Sequence, residues 1–148
     1  MATLLGFDFG TRKIGIAVGQ TVTRSATPLT TLRNRQEKPD WPRIESLIRE
    51  WQPTALVVGL PFNMDDTEVD WSGRVHRFAR QLNGRFGLEV HLIDERLTSL
   101  EAQRLIAEGP ATAKSTTPDA VDAFAAALIL ETWLCEQHQH LEGRRADR

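Results

Sequence analysis

A chain of 148 residues can bury one proper core and is too short for two ordinary domains. Its 41% hydrophobic and 26% charged residues are an ordinary globular balance, and no apolar run reaches membrane-spanning length, so a membrane partner is not expected. A formal net charge of −2 and a pI of about 6.1 do not advertise nucleic-acid binding.

The distribution of charge is more uneven than the total. Residues 1–39 hold Arg12, Lys13, Arg24, Arg33, Arg35 and Lys38 against Asp8 and Glu37, whereas 118–136 hold Asp119, Asp122, Glu131 and Glu136 with no Lys or Arg. This pattern fits a local basic face on a mildly acidic protein, or an ordinary solvated surface. The start, MATLLGFDFG, has no basic leader, so no signal peptide is expected. A single cysteine, Cys135, cannot form an internal disulfide, which suits a reducing, cytoplasmic setting.

Taken in order, Leu4-Leu-Gly-Phe7 and Ile14-Gly-Ile-Ala-Val18 are apolar runs of strand length joined by Gly10-Thr-Arg-Lys13, which predicts a β-hairpin with Asp8 near its turn. Pro28–Arg33 reads as a third, edge strand, followed by a polar loop over Asn34–Pro39. Asp40 is a good N-cap, with Pro42 in the first turn and Ile44, Leu47, Ile48 and Trp51 at helical spacing. After Pro53, Ala55–Leu60 is a continuously apolar strand, the mark of a sheet covered on both faces. A loop at 61–66 leads to a helix expected from about Glu68 to Phe86, with Trp71, Val75, Phe78, Ala79, Leu82 and Phe86 facing inward.

Gly87 breaks that helix, and Leu88–Ile93 runs as a strand into Asp94-Glu95-Arg96. A short helix is expected over Leu100–Glu108, capped by Thr98 or Ser99, then a small polar and mobile stretch over 111–117. Thr117-Pro118-Asp119 opens a last helix carrying Val121, Phe124, Ala125, Leu128 and Ile129. The expected organisation is one domain over 1–141 and a frayed tail over 142–148. The order β-β-β-α-β-α-β-α-α implies an α/β fold, a mixed sheet with helices on both faces and the first strand central. The strand ends at Phe9, Gly59 and Asp94 should then point the same way, to the edge where open α/β sheets bind ligands.

Three acids sit where burial favours apolar residues: Asp8 ending the first strand, Glu95 after the last, and Asp122 among Val121, Ala123 and Ala126. Several carboxylates sharing a divalent ion would offset that cost, and hard Mg²⁺ prefers oxygen ligands. Two such ions activate water and stabilise the leaving oxygen of a phosphodiester. Simpler roles remain open: Asp8 tying down its turn, and Asp122 acting as a helix N-terminal acid. Asp94 and Glu95 are neighbours in an extended chain, so only one of them faces such a site. Gly10 permits close approach of a phosphate, and the Arg12 and Arg96 guanidinium forks suit phosphate oxygens. The acids at 65–70 fit a loop and helix start, and Cys135 reads as a packed thiol. The four tryptophans read as core or rim packing. No P-loop, HExxH, GxSxG or CxxC motif is present.

Four motifs in order carry a resemblance: Gly6-Phe-Asp-Phe-Gly-Thr-Arg12 with Ile14–Gly19, Val57–Asp65, Asp94-Glu-Arg-Leu-Thr98, and Val121–Glu131. The chain resembles the YqgF (RuvX) group of bacterial RNase H-like proteins over nearly its whole length. The resemblance implies a five-stranded mixed sheet with the second strand antiparallel, and a metal-dependent nuclease site on Asp8, Glu95 and Asp122. It also implies maturation of the 5′ end of pre-16S ribosomal RNA or, in an earlier description of the family, resolution of Holliday junctions. The family often has a lysine in a K-x-x-x-D arrangement before the helix acid; Pro118 holds that place here, and Lys114 is the nearest lysine.

The reading that results is a nuclease with Mg²⁺ or Mn²⁺, as a pair of ions, on Asp8, Glu95 and Asp122. Gly10, Arg12, Asn63, Arg96 and Thr98 would contact substrate, RNA ahead of branched DNA, with pre-ribosomal particles as further partners and a monomer or homodimer as the unit. The alternatives are a junction resolvase, which needs a dimer, a non-catalytic RNA-binding or ribosome-assembly factor, and an ATP-binding module of the actin-like superfamily, whose phosphate loop also opens D-x-G-T.

Overall fold

The computed structural model describes residues 2–36, 38–61, 70–94 and 118–146, and within the last stretch the side chains of 122–136. The elements are β1 (Thr3–Phe9), β2 (Lys13–Gln20), β3 (Ser25–Arg33), α1 (Trp41–Trp51), β4 (Ala55–Leu60), α2 (Ser72–Phe86), β5 (Glu89–Asp94) and α3 (Pro118–Ala146). The helix expected over Leu100–Glu108 and the stretch 111–117 lie outside the described residues.

The five strands form one sheet in the order β3-β2-β1-β4-β5. β1 pairs antiparallel with β2 and parallel with β4, β2 pairs antiparallel with β3, and β4 pairs parallel with β5, so β2 alone runs against the other strands. β1 is central, as its place in the sequence predicts.

Strand alternation sorts the side chains onto two faces. Leu5, Phe7, Phe9, Ile14, Ile16, Leu56 and Val58 pack with Ile44 of α1 and with Val75, Phe78 and Leu82 of α2. Phe78 sits among rings, 5.6 Å from Phe7, 5.0 Å from Phe9 and 5.6 Å from Trp41 between centroids. On the other face Leu4, Ala55, Val57 and Ile93 pack with Ile129, Leu130 and Leu134 of α3. The continuous apolar run of β4 has this double burial as its cause: Leu56 and Val58 serve one core, Ala55 and Val57 the other.

Local chemistry sets the helix ends. The Asp40 carboxylate accepts from the Arg43 N–H at 3.3 Å, and Pro42 stands in the first turn, a cap of a kind worth about 1 kcal/mol. Gly87 ends α2 in the left-handed region at φ 65°, which glycine enters without a Cβ clash.

Two boundaries and one burial differ from the sequence reading. β3 starts at Ser25, upstream of Pro28, because the pairing with β2 resumes beyond an irregularity in which Ile16 faces Thr30 and Ala17 faces Pro28. Such a bulge accommodates a proline on an edge strand. α2 begins at Ser72, after a turn at Asp70 and Trp71, without a side-chain cap. Cys135 is exposed and not packed: it follows the buried Leu134 by one position, about a quarter-turn around the helix.

Candidate functional site

The face under α3 carries an unusual run of small residues. On β1 it presents Leu4, Gly6 and Asp8; opposite them in register on β2 stand Gly19, Ala17 and Gly15. A Cβ on Gly6 would lie 2.9 Å from Leu130 Cβ, and one on Gly19 would lie 2.7 Å from Leu130 Cδ2. At Gly15 it would lie 2.0 Å from the Asp122 carbonyl oxygen. Helix α3, itself faced by Ala123, Ala126 and Ala127, thus lies directly on the sheet backbone. Glu131 ties the same helix to the edge strand by accepting from the Ala26 N–H at 3.1 Å.

This seat brings two of the predicted acids together. Asp8 is the register partner of Gly15, and the first turns of α3 rest on Gly15 with Asp122. Both residues are half-buried on the same face at the end of β1. Lys13, on the same face two positions before Gly15, reaches Asp122 Oδ2 with its ammonium at 3.5 Å. The pair is about one-third exposed, so solvent screens it.

The β1–β2 turn is held from outside. The Gly10 N–H donates to the Lys13 carbonyl at 2.9 Å, and a Cβ on Gly10 would crowd that oxygen at 2.7 Å. Asn34 Nδ2 donates to the carbonyls of both Gly10 and Thr11, at 3.0 and 3.1 Å, and the Asn34 N–H donates to the Arg12 carbonyl at 2.8 Å. Asn34 Oδ1 is buried with no hydrogen-bond partner among the described residues. The glycine is thus required by the turn itself, whose amide is engaged internally. Arg12 is left exposed at the tip.

The remaining predicted residues divide simply. Asp94 ends β5 on the side opposite Ile93, and Ile93 packs under α3, so Asp94 faces away from Asp8. Glu95, Asn63, Arg96, Thr98 and Lys114 lie outside the described residues. His91 lies against Trp133, with ring centroids 4.7 Å apart, and 3.5 Å from Glu89. Among the described residues no three or more His, Cys, Asp or Glu side chains cluster as a metal site, and no helix is long and apolar enough to cross a membrane.

Asp8 and Asp122 are hard oxygen donors with no sulfur or imidazole beside them in this pair, a donor set that fits Mg²⁺ or Mn²⁺. A cation already stands against one of them in the form of Lys13. Sequence reasoning missed Lys13, Asn34 and Glu131 as parts of this arrangement. Only Lys13 had a signal, since strand parity places it on the face of Gly15. The bonds of Asn34 and Glu131 join residues far apart in the chain and have no local signature.

A family model described as RuvX, Holliday junction resolvase, matches residues 2–136. A protein of Azotobacter vinelandii named "Putative pre-16S rRNA nuclease" is 54% identical over 135 residues, covering 90% of this chain and 94% of that protein. One of the same name from Pseudomonas putida is 52% identical over 133 residues, covering 88% and 93%. Among solved structures, T. thermophilus RuvC in complex with Holliday junction substrate superposes with a TM-score of 0.60 at 16% identity, covering 94% of this chain and 97% of that one. The fowlpox virus Holliday junction resolvase gives 0.56 at 9% identity, covering 91% and 99%. At such identities these two structures speak for the fold, which is the RNase H-like one expected. By the match over residues 2–136 and these relatives, the chain belongs to the RuvX family.

Proposed function

We propose that this chain is a nuclease that hydrolyses a phosphodiester bond of ribosomal RNA precursor, at the 5′ end of pre-16S rRNA. The observation that carries the reading is the seat at Gly15, which lays the start of α3 across from Asp8 and gives Asp122 a reason to sit in an alanine-rich helix. The names of the curated relatives supply the substrate.

In this reading Asp8, Asp122 and Glu95 hold divalent metal, Mg²⁺ or Mn²⁺ as a pair of ions. Bound there, the metal would supply Lewis-acid stabilisation of the phosphate and a water of lowered pKa. The chain's own groups do the rest. Arg12, exposed on a turn that Asn34 fixes, grips a phosphate oxygen pair with its planar fork. Lys13 balances Asp122 when metal is absent. Arg96, Thr98 and Asn63 are assigned further substrate contacts, and the cytoplasm is the compartment in which pre-ribosomal RNA is met.

The test is cleavage by the purified chain of a pre-16S 5′ fragment, RNA hairpins and four-way DNA junctions, each with Mg²⁺ and with Mn²⁺. Metal-dependent cutting of the precursor, lost in Asp8→Asn and Asp122→Asn, is the expected result. Cutting by Asp8→Asn at the parental rate would remove the carboxylate site. A second reading, junction resolution, is favoured by the family description. It predicts paired symmetric nicks and therefore a dimer in solution. Failure to cut any substrate, together with normal ribosome assembly in cells carrying Asp8→Ala, would leave a non-catalytic assembly factor.

A further inference from the structure

The carboxylates lie on the α3 face, and the opposite face holds a second concavity at the same end of the sheet. A groove of about 500 Å³ lies between the start of α1 and the helix α2, with Phe9, Lys38, Trp41, Arg77, Phe78 and Arg85 among its walls. Its size falls within the range of ligand pockets, roughly 300–1,000 Å³. Arg74 and Arg77 also line an adjoining concavity, together with Trp71 and Asp70.

Helix α2 brings charge of one sign to the groove. Over Ser72–Phe86, α2 carries Arg74, Arg77, Arg80 and Arg85 and no Asp or Glu. Among the described residues no acidic side chain lines the groove, and no ion pair joins Lys38, Arg77 or Arg85 to a carboxylate. Arg85 lies over the Trp41 ring, 4.3 Å from its centroid. Arg77, Arg85 and Lys38 set around the aromatic floor of Phe9, Trp41 and Phe78 offer an anion site, with planar forks for phosphate and ring faces for a base.

The groove is joined to the carboxylate site by one turn of chain. Phe9 follows Asp8, and neighbours in a strand point to opposite faces, so the two sites stand back to back across β1. Over the top runs Gly10–Lys13, with exposed Arg12 at its tip. The loop bearing Lys38 is locked to that turn, because Arg35 and Lys38 exchange backbone bonds at 3.0 and 2.9 Å and the Asn34 N–H holds the Arg12 carbonyl at 2.8 Å. A line of positive groups thus leads from Lys13 through Arg12 and Lys38 to Arg77 and Arg85.

We propose that this groove binds nucleotide phosphates: a strand held at the carboxylates passes over the β1–β2 turn and lays its continuation against α2. The proposal rests on the nuclease reading for the identity of that strand. The same chemistry, a phosphate beside a base, would also accept a free nucleotide, and the experiment separates the two sources.

The full-length chain carrying Asp8→Asn, which prevents cutting, is compared with the same chain carrying Lys38→Gln and Arg77→Gln in addition. Both side chains are exposed, so thermal melting should be unchanged; Arg85 is left in place because it covers Trp41. Affinity for a fluorescent single-stranded RNA is measured across salt concentrations, and binding of guanosine monophosphate by equilibrium dialysis. Because the two substitutions remove the cations facing two phosphates, RNA affinity should fall on the order of tenfold at moderate salt, and the log–log salt slope should flatten by about 1.4. Loss of mononucleotide binding with RNA affinity and slope intact would assign the groove to a free nucleotide. If RNA affinity, slope and mononucleotide binding all match the parent, the groove is a solvated surface and the proposal fails. Because the readout is binding, a parental chain that cuts nothing would sink the nuclease reading without touching this result.

Discussion

Replacing Gly15 by alanine perturbs the contact that sets the position of Asp122. The added Cβ would lie 2.0 Å from the Asp122 carbonyl oxygen, 2.3 Å from its carbonyl carbon and 2.9 Å from the Ala123 nitrogen. All three are backbone atoms, so no rotamer change relieves the overlap. Real Cβ atoms essentially never come closer than 3.0 Å to such neighbours, so the start of α3 must rise from β2 by about 1 Å or more. It cannot translate as a body, because Gly6 and Gly19 seat the same helix at Leu130 and Glu131 holds Ala26. Overpacking of this kind costs about 1–3 kcal/mol, with a fall in Tm of roughly 2–4 °C for each kcal/mol in a domain of this size. A misplacement of about 1 Å at the reacting centre costs on the order of 10²-fold in rate. Thermal unfolding followed by circular dichroism, and metal-dependent cleavage at saturating substrate, read the two effects separately. A Gly15→Ala chain that melts with the parent and cuts at the parental rate would refute the argument, since α3 would not then be resting on β2.

Gly84→Ala is the converse case: no described residue lies within 4 Å of the new Cβ, so the helix should gain about 0.5–1 kcal/mol, seen as a higher Tm. Asn34→Asp should destabilise more than Asn34→Ala in urea denaturation. The carboxylate cannot donate to the Gly10 and Thr11 carbonyls and would set an acceptor against two others, whereas alanine loses about 1–2 kcal/mol of hydrogen bonding. Arg12→Ala should leave the melt unchanged and flatten the salt dependence of RNA binding by about 0.7, the share of one single-strand phosphate. Lys13→Met removes the ammonium 3.5 Å from Asp122. Mn²⁺ should then bind at least about fivefold more tightly by calorimetry, because a unit of like charge near 4 Å is worth about 1 kcal/mol or more; unchanged affinity would mean that Lys13 swings clear of the ion.

Much of the sheet was legible because its strands announce their burial. The run Ala55–Leu60 is apolar at every position but Gly59, and both faces of β4 are in fact covered. The hairpin was legible from two apolar runs around a glycine turn. The start of β3 was not: Ser25, Thr27 and Pro28 are exposed on an edge strand, where neither hydrophobicity nor alternation marks the chain. At the candidate site Asp122 stood out as a charge in an alanine-rich helix. Gly15 did not, because a glycine in an apolar strand reads as a weak strand position until the helix that presses on it is known. The sequence offers residues, whereas the seat is a distance between two segments far apart in the chain.

That distance also bears on the missing lysine. The family pattern K-x-x-x-D would carry a cation on the approach to the helix acid, and Pro118 stands at that place here. Pro118 is the first residue of α3, and proline suits the first turn of a helix, where its absent N–H has no partner to lose. A cation is nonetheless found at Asp122, contributed by β2 through Lys13. The Lys13 backbone is fixed by its pairing with Arg33 of β3 and by the Gly10 N–H that donates to its carbonyl. A lysine on the approach to a helix would move with whatever precedes that helix. Supplying the charge from the sheet therefore couples Asp122 to the same strand that carries Gly15, so that one strand sets both how near α3 comes and what its carboxylate meets there.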